Sequence, residues 1–367
     1  MERRENENDN KMIEIICPDL SGKTISVRAL SECEKVYLNM SKKQYLTKAN
    51  RLSNESAIFL GEICVESQES YHAYRSKLIA RAQKARDLGI RIDVFCDLCV
   101  RIIGDKGEDC APIVEQKTLE FIFKLELELA REGVNLELIQ ALQGGVKFRI
   151  SGDMISVCDK IALFRVLAKR VASLIGIDIT YMPKPFFDKK RMGISYLFCV
   201  QGEKRKSFCE GVILHTPELL SFCASTVNSF LSIKDFSPYL CYGAEECGIS
   251  LFDEDDCMNF CFEFCDLLAN PYIALSSILT AGIMGIEDEL CLRDKVDEIT
   301  PTVQKDCARL PVDLLSSVEL CQASGFIKEA LGESDGREYY LEKIAECKRV
   351  PASSGESEQR SAYFDFF

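Results

Sequence analysis

The residues able to do chemistry are unevenly supplied. The 367-residue chain has 19 cysteines, 2 histidines (His72 and His215) and no tryptophan. Two histidines cannot build a three-histidine metal centre or a pair of Cys₂His₂ fingers, and they leave little for proton transfer near neutral pH. Chemistry would have to run on thiols, carboxylates and lysines. Cys257, Cys261 and Cys265 are spaced so that strand alternation puts them on one face. Together with Cys99 and Cys199 on other strands, if these share one cavity, they could bind a soft metal such as zinc or act as a redox pair. The competing reading is cysteine as a small hydrophobe filling apolar space. Cys96-Asp97-Leu98-Cys99 is a C-x-x-C run on a strand-like segment, where alternation separates the two sulfurs.

Carboxylates outnumber bases, 58 against 45, a formal charge of −13. Such a balance repels nucleic-acid backbones and anionic membranes, so neither is expected as a partner. The longest basic runs, Lys189-Lys190-Arg191 and Lys204-Arg205-Lys206, read as solvated turns. No Walker A loop, G-x-G-x-x-G, G-x-S-x-G or H-E-x-x-H occurs. The polar opening MERRENENDNK lacks an apolar secretory core, and no apolar stretch has transmembrane length. The scattered, odd-numbered cysteines do not resemble a secreted disulfide framework, so reduced thiols and a cytoplasmic location are expected.

The elements that must position these residues follow from periodicity. Length predicts about two domains. Residues 1–11 read as a disordered leader. Met12–Cys17 and Thr24–Leu30 flank the turn-rich Pro18-Asp19-Leu20-Ser21-Gly22 and predict a hairpin. A less regular stretch runs to Glu69, with Ala57–Val65 as its best strand. Tyr71–Leu88 has helical spacing and stops at Gly89. Strand-like runs Ile90–Phe95 and Asp97–Ile103 precede a helix over Val114–Glu132. Val134–Ile139 and Val146–Ile150 read as strands around Gly144-Gly145, and Val157–Ile175 as a helix closed by Gly176. Strand Ser195–Gln201 precedes Thr216-Pro217 and, later, Asn270-Pro271, each an N-cap followed by proline at the first helical position. The last part predicts short helices, a polar stretch and an aromatic end. Mixed, hairpin-connected elements predict α+β rather than a doubly wound fold.

One motif set stands out. Tyr181-Met182-Pro183-Lys184-Pro185, then Gly193, Thr226-Val227-Asn228-Ser229 and Asp266-Leu267-Leu268-Ala269-Asn270-Pro271-Tyr272 occur in this order and at these intervals. Together they resemble the glutamine synthetase family. The resemblance covers nearly the whole chain and implies a reduced β-grasp N-terminal domain over 12–69 and a catalytic-type domain over 70–367. The latter would have a curved antiparallel sheet flanked by helices and a helical C-terminal end.

The resemblance also implies chemistry: ATP phosphorylates the glutamate side chain and ammonia displaces the phosphate, with carboxylate-held divalent cations neutralising charge and arginines clamping phosphate and substrate. The implied metal-ligand positions fall on Asp97, Cys99, Leu142, Arg149, Ser195 and Cys261. Only Asp97 carries a carboxylate, Arg149 places a fixed cation where a ligand is required, and Ser195 replaces the family's histidine. The arginine positions fall on Ser232 and Glu263, and no arginine lies within Glu246–Phe252, where a phosphate-binding arginine is implied. Met182, Pro183, Lys184, Pro185, Gly193, Asn228, Asn270 and Pro271 keep the family pattern.

The sequence thus predicts a degenerate member, a pseudoenzyme with a structural, ligand-binding or regulatory role. No functional catalytic residue and no cofactor are expected. ATP with Mg or Mn would enter only under the alternative of a divergent carboxylate–amine ligase. The resemblance implies a homo-oligomer or a hetero-oligomer with an authentic glutamine synthetase.

Overall fold

The computed structural model describes residues 12–19, 21, 23–30, 35–39, 44–51, 58–65, 73–103, 116–142 and 144–364. The leader expected over 1–11 lies outside them, as do the first residues of the helix expected from Tyr71. Five strands form an N-terminal sheet: β1 (Met12–Pro18), β2 (Thr24–Leu30), β3 (Lys35–Asn39), β4 (Gln44–Arg51) and β5 (Ile58–Val65). Their order is β2-β1-β5-β4-β3. The β1–β2 hairpin is antiparallel, whereas β1 and β5 run parallel. The stretch read as irregular therefore contains β3 and β4, whose strand character comes from pairing onto β5 through β4.

A larger sheet carries the site. Its strands are β6 (Arg91–Ile103), β7 (Glu137–Leu142), β8 (Gly145–Asp153), β9 (Asp178–Thr180), β10 (Ile194–Gln201), β11 (Ile249–Asp253) and β12 (Cys257–Cys265). The order is β11-β12-β10-β6-β8-β7, with β9 paired to β6, and every pairing is antiparallel. The two runs expected around Cys96 are one strand, β6, at the centre.

Alternation along these strands separates two faces. On β10, Ile194, Tyr196, Phe198 and Val200 are buried, and on β12 Met258, Phe260, Phe262 and Phe264 are buried. Their rings pack across the pair in a tilted contact, with Phe198 and Phe260 centroids 6.0 Å apart, a geometry that adds to simple area burial. Helices cover this face: α1 (Tyr74–Asp87), α2 (Gln116–Arg131), α3 (Met154–Ile175), α4 (Arg205–Leu214), α5 (Thr216–Cys223), α6 (Val227–Ile233) and α7 (Pro271–Glu287). Helix α7 is buried along nearly its whole length. It meets α4 glycine to glycine: a Cβ on Gly285 would lie 2.6 Å from the Gly211 Cα, so only hydrogen allows this approach. Five shorter or peripheral helices complete the chain: α8 (Pro301–Asp306), α9 (Leu314–Ala323), α10 (Phe326–Leu331), α11 (Glu333–Arg349) and α12 (Glu356–Tyr363). Among the described residues no helix is long and apolar enough to cross a membrane.

The two N-caps expected before proline have different outcomes. The Asn270 side chain accepts from the Tyr272 and Ile273 amides and caps α7. It also donates to the carbonyls of Pro18 (3.2 Å) and Asp19 (2.7 Å), which ties the N-terminal sheet to the larger domain. Thr216 is not a cap. His215 occupies that position without a side-chain cap bond, and the Thr216 hydroxyl donates to the Val212 carbonyl of α4 at 2.9 Å.

Candidate functional site

The face of the large sheet opposite the helices bears a row of polar side chains set by strand register. Asp97 on β6 lies directly across from Arg149 on β8 and from Ser195 on β10. Arg149 in turn faces Glu137 on β7, and Ser195 donates to Glu263 of β12 at 3.2 Å. The row reads Glu263, Ser195, Asp97, Arg149, Glu137. One step along, Cys99 faces Lys147.

Asp97 is held from two sides. Arg149 grips it with both fork positions, Nε to Oδ1 at 2.6 Å and Nη2 to Oδ2 at 3.0 Å. Lys147 Nζ lies 3.1 Å from Oδ2. Burial by itself raises the Asp97 carboxyl, but hydrogen bonds and charge from Arg149 and Lys147 outweigh it and hold the group below the usual carboxylate range. The Asp97 hydrogen bond correspondingly raises Arg149. Burial pushes the neighbouring Cys99 thiol up against the opposing charge of Lys147, and burial raises Cys261 to about 11. These thiols are therefore protonated at neutral pH and are poor nucleophiles.

The row opens into a cavity of about 890 Å³. Its floor includes Cys99, Lys147, Ser195 and Glu263, and its wall is the segment from Lys184 to Gly193. That segment is fixed by the Pro-Lys-Pro turn: Asn228 accepts from the Lys184 amide at 3.0 Å and donates to its carbonyl at 2.9 Å. Met182 and Pro183 are buried beneath it, and the Met192 amide closes onto the Pro183 carbonyl at 2.7 Å. At Gly193 a Cβ would meet the Cys265 carbonyl at 2.7 Å, so the close approach requires glycine. Lys184 pairs with Asp235. Arg191 stacks over the Phe236 ring at 4.3 Å and donates to the Glu263 carbonyl at 2.7 Å.

Residues that sequence reasoning passed over matter here. Lys147 was legible as the partner of Arg149 on one strand face, two residues away. The run Lys189-Lys190-Arg191, expected as a solvated turn, instead lines the cavity. The other basic run stays at the surface but is not a turn throughout: Lys204 precedes α4, and Arg205 and Lys206 begin that helix and pair with Asp253. Ser232 stays out of the cavity lining: buried on α6, it donates to the Ser229 carbonyl at 2.7 Å. Leu142 ends β7 and Arg149 lies within β8, so the two fall on successive strands of a hairpin.

The converging thiol centre does not form. Cys99, Cys199, Cys257 and Cys261 do share the cavity face, but register spreads them along it. Cys199 pairs with Asp93, six residues along β6 from Cys99, a separation of roughly 20 Å. Only Cys199 and Cys257 meet, with sulfurs 2.8 Å apart. Cys265 leaves that face altogether, because the register shift between Ile194 and Tyr196 turns it into the core beside Cys96 and Cys223. Among the described residues no three His, Cys, Asp or Glu side chains could hold a metal ion.

Nor does the donor set at Asp97 fit the divalent cation the fold implies. Mg²⁺ and Mn²⁺ favour several oxygen ligands. Here one carboxylate is saturated by two protein cations, burial raises the Cys99 and Cys261 thiols, and the flanking carboxylates of the row, Glu263 and Glu137, each stand two strands away from Asp97.

A family model described as the glutamine synthetase catalytic domain matches residues 117–361. The chain belongs to the glutamine synthetase family. Similar sequences include a glutamine synthetase of Archaeoglobus fulgidus, 23% identical over 259 residues, covering 60% of this chain and 53% of that protein. A glutamate–methylamine ligase of Methyloversatilis universalis is 24% identical over 200 residues, covering 46% of this chain and 45% of that protein. The chain thus spans about half the length of these curated relatives. Among solved structures, a novel glutamine synthase homolog superposes with a TM-score of 0.79 at 18% identity over 100% of both chains. A complex of GmaS with ADP superposes with a TM-score of 0.78 at 17% identity over 97% of both. The glutamine synthetase fold, with its small N-terminal sheet and curved antiparallel sheet backed by helices, is therefore that of this chain.

Proposed function

We propose that this glutamine synthetase-fold chain has lost the ligase reaction and serves as a binding or regulatory protein. The observation that carries the reading is the grip of Arg149 and Lys147 on Asp97. Ligase chemistry needs cations at this end of the sheet to neutralise a transferring phosphoryl group. A guanidinium and an ammonium within ion-pair distance of the remaining carboxylate repel such a metal and satisfy the carboxylate without it. No divalent cation and no ATP are needed by this reading. The intact fold around an altered site suits an accessory subunit, assembled with copies of itself or with an authentic glutamine synthetase.

The alternative is a divergent ligase, favoured by the similarity to a glutamate–methylamine ligase. The two part on one experiment. Purified protein is supplied with ATP, glutamate, Mg²⁺ or Mn²⁺, and either ammonium or methylamine, and ADP release is followed alongside a Mn²⁺ titration. The pseudoenzyme reading expects neither metal-dependent turnover nor saturable Mn²⁺ binding. Turnover that disappears in Asp97→Asn establishes the ligase instead.

A further inference from the structure

Charge in the cavity runs against charge in the molecule. The chain carries −13 overall. The cavity is lined by five cations, Lys147, Lys184, Lys189, Lys190 and Arg191, against three carboxylates, Asp188, Asp235 and Glu263, an excess of two positive charges. The adjoining Asp97–Arg149 pair is neutral in sum and leaves that excess intact.

The partners of these cations show where the excess lies. Lys184 is matched by Asp235, and Lys189 stands 3.7 Å from Asp188. Lys147 shares its carboxylate with Arg149. Lys190 has no ion pair among the described residues. Arg191 is better placed than a surface arginine to read a ligand. Its plane is fixed over Phe236 at 4.3 Å, its Nη2 is anchored on the Glu263 carbonyl, and its Nη1 is buried without a hydrogen-bond partner among the described residues. A concave cluster with surplus positive charge attracts a counter-charge. An arginine held in plane presents the fork that matches a carboxylate or phosphate. The cavity's 890 Å³ lies within the usual range for small-molecule sites.

We propose that the cavity binds a small dianion, a phosphate monoester or a dicarboxylate, directly on Lys147, Lys190 and Arg191 and without a divalent cation. This rests on the reading that protein cations have taken over the metal position. It specifies what that exchange makes possible: a site that recognises anionic groups through its own side chains. Glu263 on the floor and Asp235 beside Lys184 disfavour longer polyanions, whose additional charge would meet carboxylates.

The test is isothermal titration of the full chain in EDTA with two probes, inorganic phosphate and malonate. One saturable site per chain for at least one probe, with a dissociation constant of about 1 mM or tighter, is the expected result. Phosphate alone would assign the phosphate-ester class and malonate alone the dicarboxylate class. Lys147→Gln and Lys190→Gln should each weaken binding about tenfold or more, with thermal unfolding showing that both variants are folded. Lys190→Gln is the safer variant for folding because Lys190 has no carboxylate partner among the described residues. Arg191→Lys keeps the charge but loses the fork, and should also weaken binding. Replacing EDTA with Mg²⁺ should not tighten it. Absence of saturable binding by either probe, affinity unchanged in folded Lys147→Gln and Lys190→Gln, or binding only with Mg²⁺ would overturn the proposal. These results are separable from loss of ligase activity: a protein that neither turns over ATP nor binds an anion leaves that loss standing, whereas ATP turnover defeats it whatever phosphate does.

Discussion

Asp97 is the residue on which the proposed loss of ligase chemistry turns. Its carboxyl is held low by Arg149 and Lys147, so the folded state binds a proton there less readily than the unfolded state. The ion pair therefore stabilises the fold above the unfolded carboxyl range of about 3.9 and loses that contribution as pH falls through the lower folded value. Asp97→Asn should cost about 1–3 kcal/mol at pH 7, since two cations lose their counter-charge in a partly buried site. Denaturant unfolding across pH should show the difference from wild type shrinking below about pH 4. A difference that persists unchanged into acid would mean that packing, not charge, holds the position. The candidate positions Asp97, Arg149, Ser195 and Glu263 were legible because the resemblance carried by the ordered motifs implied them, and strand register sets them in one row. Lys147 and Arg191 were less legible, because the number of positive charges reaching a cavity depends on which strand faces which and how a loop folds back. The thiol cluster failed for the same physical reason: alternation says which face a cysteine takes, while cross-strand register decides how far apart two of them lie.

At the scale of elements, caps show how local grammar is overruled by connection. Asn270-Pro271 and Thr216-Pro217 present the same sequence signal, yet only Asn270 has the extended backbone and the side-chain bonds of a cap. Helix α4 runs into α5 through His215 alone, which leaves no extended residue from which Thr216 could cap. Asn270→Ala should therefore cost about 2–3 kcal/mol, from the lost cap and the buried bonds to Pro18 and Asp19. Thr216→Ala, which removes one bond to a carbonyl, should cost about 1 kcal/mol. Chemical denaturation of the two variants checks the order, and equal losses would refute the linking role given to Asn270. The central helices and β10 were legible from periodicity, as their apolar spacing is long and regular. Strands β3 and β4 were not, because they are specified by a neighbour distant in sequence, and β6 read as two strands because Cys96 and Asp97 interrupt its apolar run.

For the whole molecule, the abundance of cysteine is mainly a property of packing. Of the sixteen cysteines whose side chains are described, nine are buried, Cys291 is exposed and six are intermediate. Burial raises Cys96, Cys158 and Cys209 well above the ordinary thiol range, which suppresses the reactive thiolate. Native alkylation followed by mass mapping should label Cys291 first and should reach Cys96, Cys158, Cys209 and Cys321 only after unfolding. Rapid native labelling of those four would contradict the core assigned to them. The same glutamine synthetase fold that buries these thiols sets two protein cations around Asp97, the one carboxylate among the metal-ligand positions that the resemblance implies. That substitution is tested most directly by titrating Mn²⁺ into the purified chain. The account predicts no saturable uptake in wild type, with or without ATP and glutamate. Stoichiometric Mn²⁺ binding that is lost in Asp97→Asn would contradict it.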